Sequence, residues 1–149
     1  MMMRAVVVVG TLLLGTGVVV AQQDALKHAQ TFMKGNGKNA GALAAMVKGE
    51  KPYDQATVDT ALAQFADTAK NLPTLFPESV KGLKAEGDYS TSPKIWEDKA
   101  GFSEHIASFG KVVTEAKTQI RDLDSLKTTL PVIGKQCGAC HETFRVKNS

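Results

Sequence analysis

Near the C-terminus the chain reads Cys137-Gly138-Ala139-Cys140-His141. Two cysteines three apart with histidine immediately following is the attachment pattern of covalent c-type haem. Three residues are nearly one helical turn, so both sulfurs reach the two vinyl groups of one porphyrin, and the next residue carries its imidazole to the iron. Other uses of such a pair fit less well. A thioredoxin-like redox pair needs a strand before it and a βαβ setting, and nothing in this chain reads as a strand. A zinc site wants four ligands, and there is no second cysteine pair. A disulfide between residues three apart in a helix is rarer still. The motif therefore predicts one haem c with its iron, thioethers at Cys137 and Cys140, and His141 as the proximal iron ligand.

Elements elsewhere must position that group, in a compartment where it can be attached. Met1-Met2-Met3-Arg4 is a short basic leader, and Ala5 to Val20 carries no charge. Val19-Val20-Ala21 supplies the small residues of a cleavage site, so residues 1–21 are expected to be a signal peptide, cut between Ala21 and Gln22. An uncleaved anchor is the alternative, but the run is short for a bilayer and holds Gly10, Gly15 and Gly17. Export suits the motif, because haem c is joined to its protein outside the bacterial cytoplasm. Residues 22–149 suffice for one domain with its own core. The formal charge of +3 loses one unit with Arg4, a balance that argues for neither nucleic acid nor a membrane surface.

From Asp24, an N-cap or first-turn acid, the apolar positions Leu26, Ala29, Met33, Asn36, Ala40, Leu43 and Val47 step by three and four, as on a bundle helix. Gly35, Gly37 and Gly41 are costly in a helix, about 1 kcal/mol each against Ala. Their cluster beside Met33 suggests a bulky group approaching the backbone, or else a bend at Asn36-Gly37. Lys48 to Pro52 ends this element. A second helix is expected from about Asp54 to Asn71, burying Val58, Ala61, Leu62, Phe65, Ala69 and Leu72. Residues 73–93, with three prolines and two glycines, read as a long irregular loop, pinned to the bundle by Leu75, Phe76 and Leu83. A third helix is expected from near Pro93, capped by Ser92, with Ile95, Phe102, Ile106, Phe109, Val113, Ala116 and Ile120 inward and Trp96 packed beside them. The fourth runs from about Asp122 through Leu123, Leu126, Leu130, Ile133, Cys137, Cys140 and Phe144. Pro131 predicts a kink or a fresh helix start near Thr128 to Pro131. The fold class is all-α: an antiparallel four-helix bundle with covalent haem near one end.

The opposite face of the iron decides the function. Methionine there raises the reduction potential and suits electron transfer, whereas a vacant site suits small-gas chemistry. In an up-down bundle the end of helix four lies beside the start of helix one. His141 is eight residues from the C-terminus and Met33 nine beyond Asp24. At about 1.5 Å per residue both stand about 12–13 Å from the same bundle end, while Met46 stands about 33 Å along. The level selects Met33 as distal ligand over a plain core methionine. His28 and His105 fall beside their helix seams.

Several stretches in this order carry a resemblance: Phe32-Met33-Lys34; Val47-Lys48-Gly49-Glu50-Lys51-Pro52-Tyr53-Asp54; Leu72-Pro73-Thr74-Leu75-Phe76-Pro77; Pro93-Lys94-Ile95-Trp96; and Cys137 to His141 followed by Glu142-Thr143-Phe144-Arg145. The chain resembles the class II c-type cytochromes, the cytochrome c′ superfamily, and within it the low-spin, methionine-ligated cytochrome c-556 branch. The resemblance implies a four-helix bundle, haem at Cys137 and Cys140, His141 and Met33 as axial ligands, and a periplasmic electron carrier of a Gram-negative bacterium. One departure stands out. Many members carry arginine about one turn before the Met33 position to hold a haem propionate; this chain has His28 and Ala29 there.

The first functional expectation is outer-sphere electron transfer with a redox partner protein. Lys34, Lys38, Lys135, Arg145 and Lys147 would form a basic collar that steers an acidic partner. The alternative is a five-coordinate protein that binds small gases such as NO or CO. An enzyme is not expected, because no convergent acid–base pair can be named. No nucleic-acid partner is expected, nor a membrane after signal cleavage; the chain would be a monomer or homodimer.

Overall fold

The computed structural model describes residues 16–149; residues 1–15 of the expected leader lie outside them. Helix α1 runs Thr16–Val47, α2 Gln55–Asn71, α3 Lys94–Glu97, α4 Lys99–Gln119 and α5 Leu123–Phe144. A two-stranded antiparallel pair joins β1, Tyr89–Thr91, to β2, Arg145–Lys147. The long helices form a ring in which α1 packs on α2 and α5, and α4 packs on α2 and α5. Short connections at Lys48–Asp54 and Ile120–Asp122 turn the chain back on itself, which gives the antiparallel four-helix bundle expected.

Each helix start has a local cause. Asp54 caps α2, its carboxylate accepting from Thr57 N at 2.9 Å. Asp122 and Ser125 form a reciprocal capping box at α5. Helix α1 ends where Gly49 adopts φ +76°, a left-handed turn that glycine takes without side-chain clash.

The core has two parts. One gathers Leu43, Met46, Val58, Ala61, Leu62, Phe65, Phe109, Val113, Ala116, Ile120, Leu126 and Ile133. The other gathers Leu26, Ala29, Leu72, Leu75, Val80, Ile95, Trp96, Phe102, Ile106 and Phe144. Burying each large side chain contributes about 1.5–3 kcal/mol, so these two clusters hold the bundle together. Leu75 is buried, and Phe76 and Leu83 pack against the second cluster, pinning the long connection as expected.

Several expectations are corrected. Asp24 is neither cap nor first-turn acid, because α1 begins at Thr16 and carries Asp24 on an exposed face in its interior. No break occurs at Asn36-Gly37. Of the three glycines, only Gly35 is closely approached: a Cβ there would stand 3.1 Å from Gln64 Nε2, whereas Gly37 and Gly41 face open space. The third helix does start at Pro93, its N-cap, with Ser92 Oγ accepting from Lys94 N at 3.2 Å, but it does not run on to Ile120. Asp98 leaves helical geometry at φ −124°, ψ 65°, and its side chain accepts from Gly101 N, so α3 ends and α4 begins anew. Pro131 starts no new helix; α5 runs unbroken past it. The ring lies on the exposed side, where water can serve the Lys127 carbonyl that loses its amide partner.

Candidate haem site

Cys137, Cys140 and His141 occupy the last turns of α5, with Phe144 closing the helix. The phenyl ring of Phe144 is buried and packs edge-on against Phe102 at 5.1 Å and His105 at 5.6 Å. This locks the motif's end of α5 against α4. Cys137 packs on the first core cluster and Cys140 on the second, so the motif straddles the seam between them.

Both cysteines are free and half-buried. Burial pushes the Cys137 thiol up, and burial together with the Cys137 charge pushes Cys140 up to about 11. Metal-binding and redox-exchange cysteines need thiolates, favoured by lowered values; these two stand as neutral thiols. Among the described residues no three His, Cys, Asp or Glu side chains gather as a metal site. Burial, assisted by the Arg145 charge, lowers the His141 value. A neutral imidazole keeps a lone pair free for iron.

Met33 is on α1, a helix that packs on α5. It is partly buried and packs, with Phe32, against the same cluster as Cys140. Met46 is buried in the other cluster with Ile120 and Leu126, toward the opposite end of α5. His28 is exposed, edge-on to Phe32, and His105 packs against Phe144. Trp96 is buried and donates from Nε1 to Phe76 O at 3.1 Å, in accord with a packing role. A cavity of about 330 Å³ lies among Pro73, Phe76, Ile95, Trp96, Phe102 and Ile106, but none of the four candidate ligands lines it.

The structure adds a clasp that sequence reasoning missed. Strands β1 and β2 pair Tyr89 with Lys147, Ser90 with Val146 and Thr91 with Arg145. Asn148 keys the clasp: its N donates to Asp88 O at 2.8 Å, its Nδ2 to Gly87 O at 2.6 Å, and its Oδ1 accepts from Ser90 Oγ at 2.7 Å. Ser92 N donates to Phe144 O at 3.0 Å, tying the long connection to the end of α5. Gln30 Nε2 donates to Glu86 O at 2.6 Å and brings α1 to the same connection. The available signal was Tyr89-Ser90-Thr91, strand-favouring residues after the Gly87-Asp88 turn.

The motif fits haem c: two thiols on one helical face and an imidazole on the next residue. Relatives agree. The cytochrome c′ family model matches residues 24–145. Cytochrome c-556 of Rhodopseudomonas palustris is 55% identical over 98% of this chain and 99% of its own. Cytochrome c′ of the same organism is 40% identical over 100% of both chains. An NMR-validated structural model of oxidized R. palustris cytochrome c556 superposes with TM-score 0.76, covering 85% of this chain and 99% of that one. A motif for covalent haem at the end of one bundle helix, within a fold and sequence shared along nearly the whole chain, makes this protein a member of the cytochrome c′ family, a class II cytochrome whose cofactor is haem c.

Proposed function

We propose that this cytochrome is a low-spin electron carrier with His141 and Met33 as axial ligands, anchored through Cys137 and Cys140. The observation that carries the reading is the packing of the part-buried Met33 on the cluster that Cys140 also touches; Met46 is buried in the other, which Cys137 touches, among Ile120 and Leu126. When bound, haem c supplies a one-electron ferric/ferrous couple. The chain's own residues do the rest. His141 and Met33 would grip from opposite sides, so geometry changes little between oxidation states. Leu26, Ala29, Phe102, Ile106 and Phe144 exclude water from the surroundings. Lys34, Lys38, Lys135, Arg145 and Lys147 are all exposed and would steer an acidic redox partner, with a rate that falls as salt rises. Residues 1–21 would direct export to the periplasm. No described helix is long and apolar enough to cross a membrane.

The second reading, a five-coordinate protein that takes NO or CO at the distal face, draws on the 40% identity to a cytochrome c′ along the full chain. The absorption spectrum of the ferric protein separates the two. A low-spin spectrum with a methionine-to-iron charge-transfer band is expected; a high-spin ferric spectrum would favour the gas-binding reading.

A further inference from the structure

Arg145 stands beside His141, the proposed proximal ligand, and its charge has no counter-ion. Its main-chain N donates to His141 O, which sets it one helical turn on, about 6 Å along the α5 axis. The guanidinium does not sweep freely from there. It lies over the Tyr89 ring at 4.1 Å from the centroid, where the ring's quadrupole attracts it. Cross-strand pairing of Tyr89 with Lys147 and Thr91 with Arg145 holds both backbones in register. None of the three ion pairs among the described residues involves Arg145. The side chain is exposed, so water and salt screen its charge without neutralising it. That charge nevertheless reaches the imidazole: burial lowers the His141 value first, and Arg145 is the one charged side chain that lowers it further. A field that disfavours a proton on this ring also disfavours extra positive charge on an iron bound to it. Ferric haem exceeds ferrous by one unit of charge, whichever donor supplies the electron, so a fixed cation favours the ferrous form. The carbonyl end of the α5 dipole acts in the opposite sense, and Arg145 is placed where it offsets that end.

We propose that Arg145, pinned over Tyr89 one turn beyond His141, raises the reduction potential of the haem iron. Arg145 acts through His141, and Tyr89 acts through Arg145, so both are positioning residues. This deepens the electron-carrier reading but rests only on His141 as the iron ligand, whether Met33 or nothing occupies the distal face.

The test is spectroelectrochemical titration of the purified holoprotein without a redox partner. Arg145 is exposed, so R145Q leaves both core clusters intact. At a fixed applied potential R145Q should shift the ferric/ferrous ratio about threefold toward ferric, the size of one screened charge. That is a midpoint lower by about 28 mV, since tenfold is 59 mV for one electron. R145K, which keeps the charge, should recover most of the shift. Y89L should release the guanidinium and fall between R145Q and wild type, whereas Y89F, which keeps the ring, should match wild type. Added salt should bring R145Q and wild type together. A midpoint unmoved in R145Q overturns the assignment, and so does an R145K midpoint as low as that of R145Q, which would make the role structural. A Y89L midpoint equal to wild type overturns the part given to Tyr89. The absorption spectrum, read alongside, separates the two readings. A high-spin wild type would end methionine ligation and leave the role of Arg145 standing; a change of spin state on R145Q alone would show that Arg145 acts on ligation and overturn it.

Discussion

Met33 on α1 and Cys140 on α5 pack against one buried cluster, although they stand near opposite ends of the chain. Replacing Met33 by leucine keeps an apolar side chain of similar volume, so the core cost should stay below about 1.5 kcal/mol. The ferric spectrum should nevertheless turn from low-spin to high-spin and lose its charge-transfer band. M46L, in the other cluster, should leave the spectrum unchanged. An M33L protein that remains low-spin would remove Met33 from the iron.

The two half-buried thiols predict a stepwise loss of attachment. C137A or C140A alone should retain one thioether, and the pyridine haemochrome band should move to longer wavelength as one vinyl group is left unreacted. The double substitution should yield haem that acid–acetone extracts completely. Covalent haem persisting in C137A/C140A would contradict the assignment of both.

Thr68 is fully buried, with Oγ1 at 2.8 Å from Asn36 Oδ1. T68V should cost about 1–2 kcal/mol in urea unfolding, the range for a buried hydrogen bond whose partner is left behind. Combined with N36A, the pair should show a coupling of about 1 kcal/mol, because both substitutions remove the same α1–α2 contact.

Hydrogen bonds from Thr57 and Ser125 hold the Asp54 and Asp122 carboxyls below their ordinary value of 3.8. A folded value below the unfolded one means that the caps stabilise the fold above about pH 4. The contribution is lost as pH falls through the lowered folded values. Melting temperature should therefore drop on acidification through this range. D54N/D122N should lower it at neutral pH and flatten the acid limb, as followed by far-ultraviolet circular dichroism between pH 2 and pH 7.

Asn148 anchors the clasp through its main chain and its side-chain amide. N148A should speed amide exchange at residues 89–91 and 145–148 by tenfold or more. Core amides of α2 and α4 should keep their protection, because the clasp is a local unit. Equal acceleration throughout the bundle would show instead that the clasp supports the whole fold.

The four long helices, their inward residues and the attachment motif were legible in the amino-acid order, because each rests on neighbours within a turn or two. A three-and-four apolar rhythm, the acids at Asp54 and Asp122, and the spacing of Cys137, Cys140 and His141 all act locally. Thr68 escaped notice since a hydroxyl on a seam declares itself only when Asn36 arrives from another helix. The break at Asp98 was hidden by an apolar pattern that continues from Ile95 to Phe102 while the backbone resets. Pro131 starts no new helix, and its ring faces solvent. Least visible was the clasp. Tyr89 to Thr91 and Arg145 to Lys147 are each too short to announce a strand, and only the folded bundle brings them to within hydrogen-bonding distance. Periodicity and spacing thus determined which elements form and which chemistry α5 carries. Which distant side chains meet around that chemistry, Met33 with Cys140 and Thr91 with Arg145, was decided by tertiary packing, because contacts across the bundle leave no period in the chain.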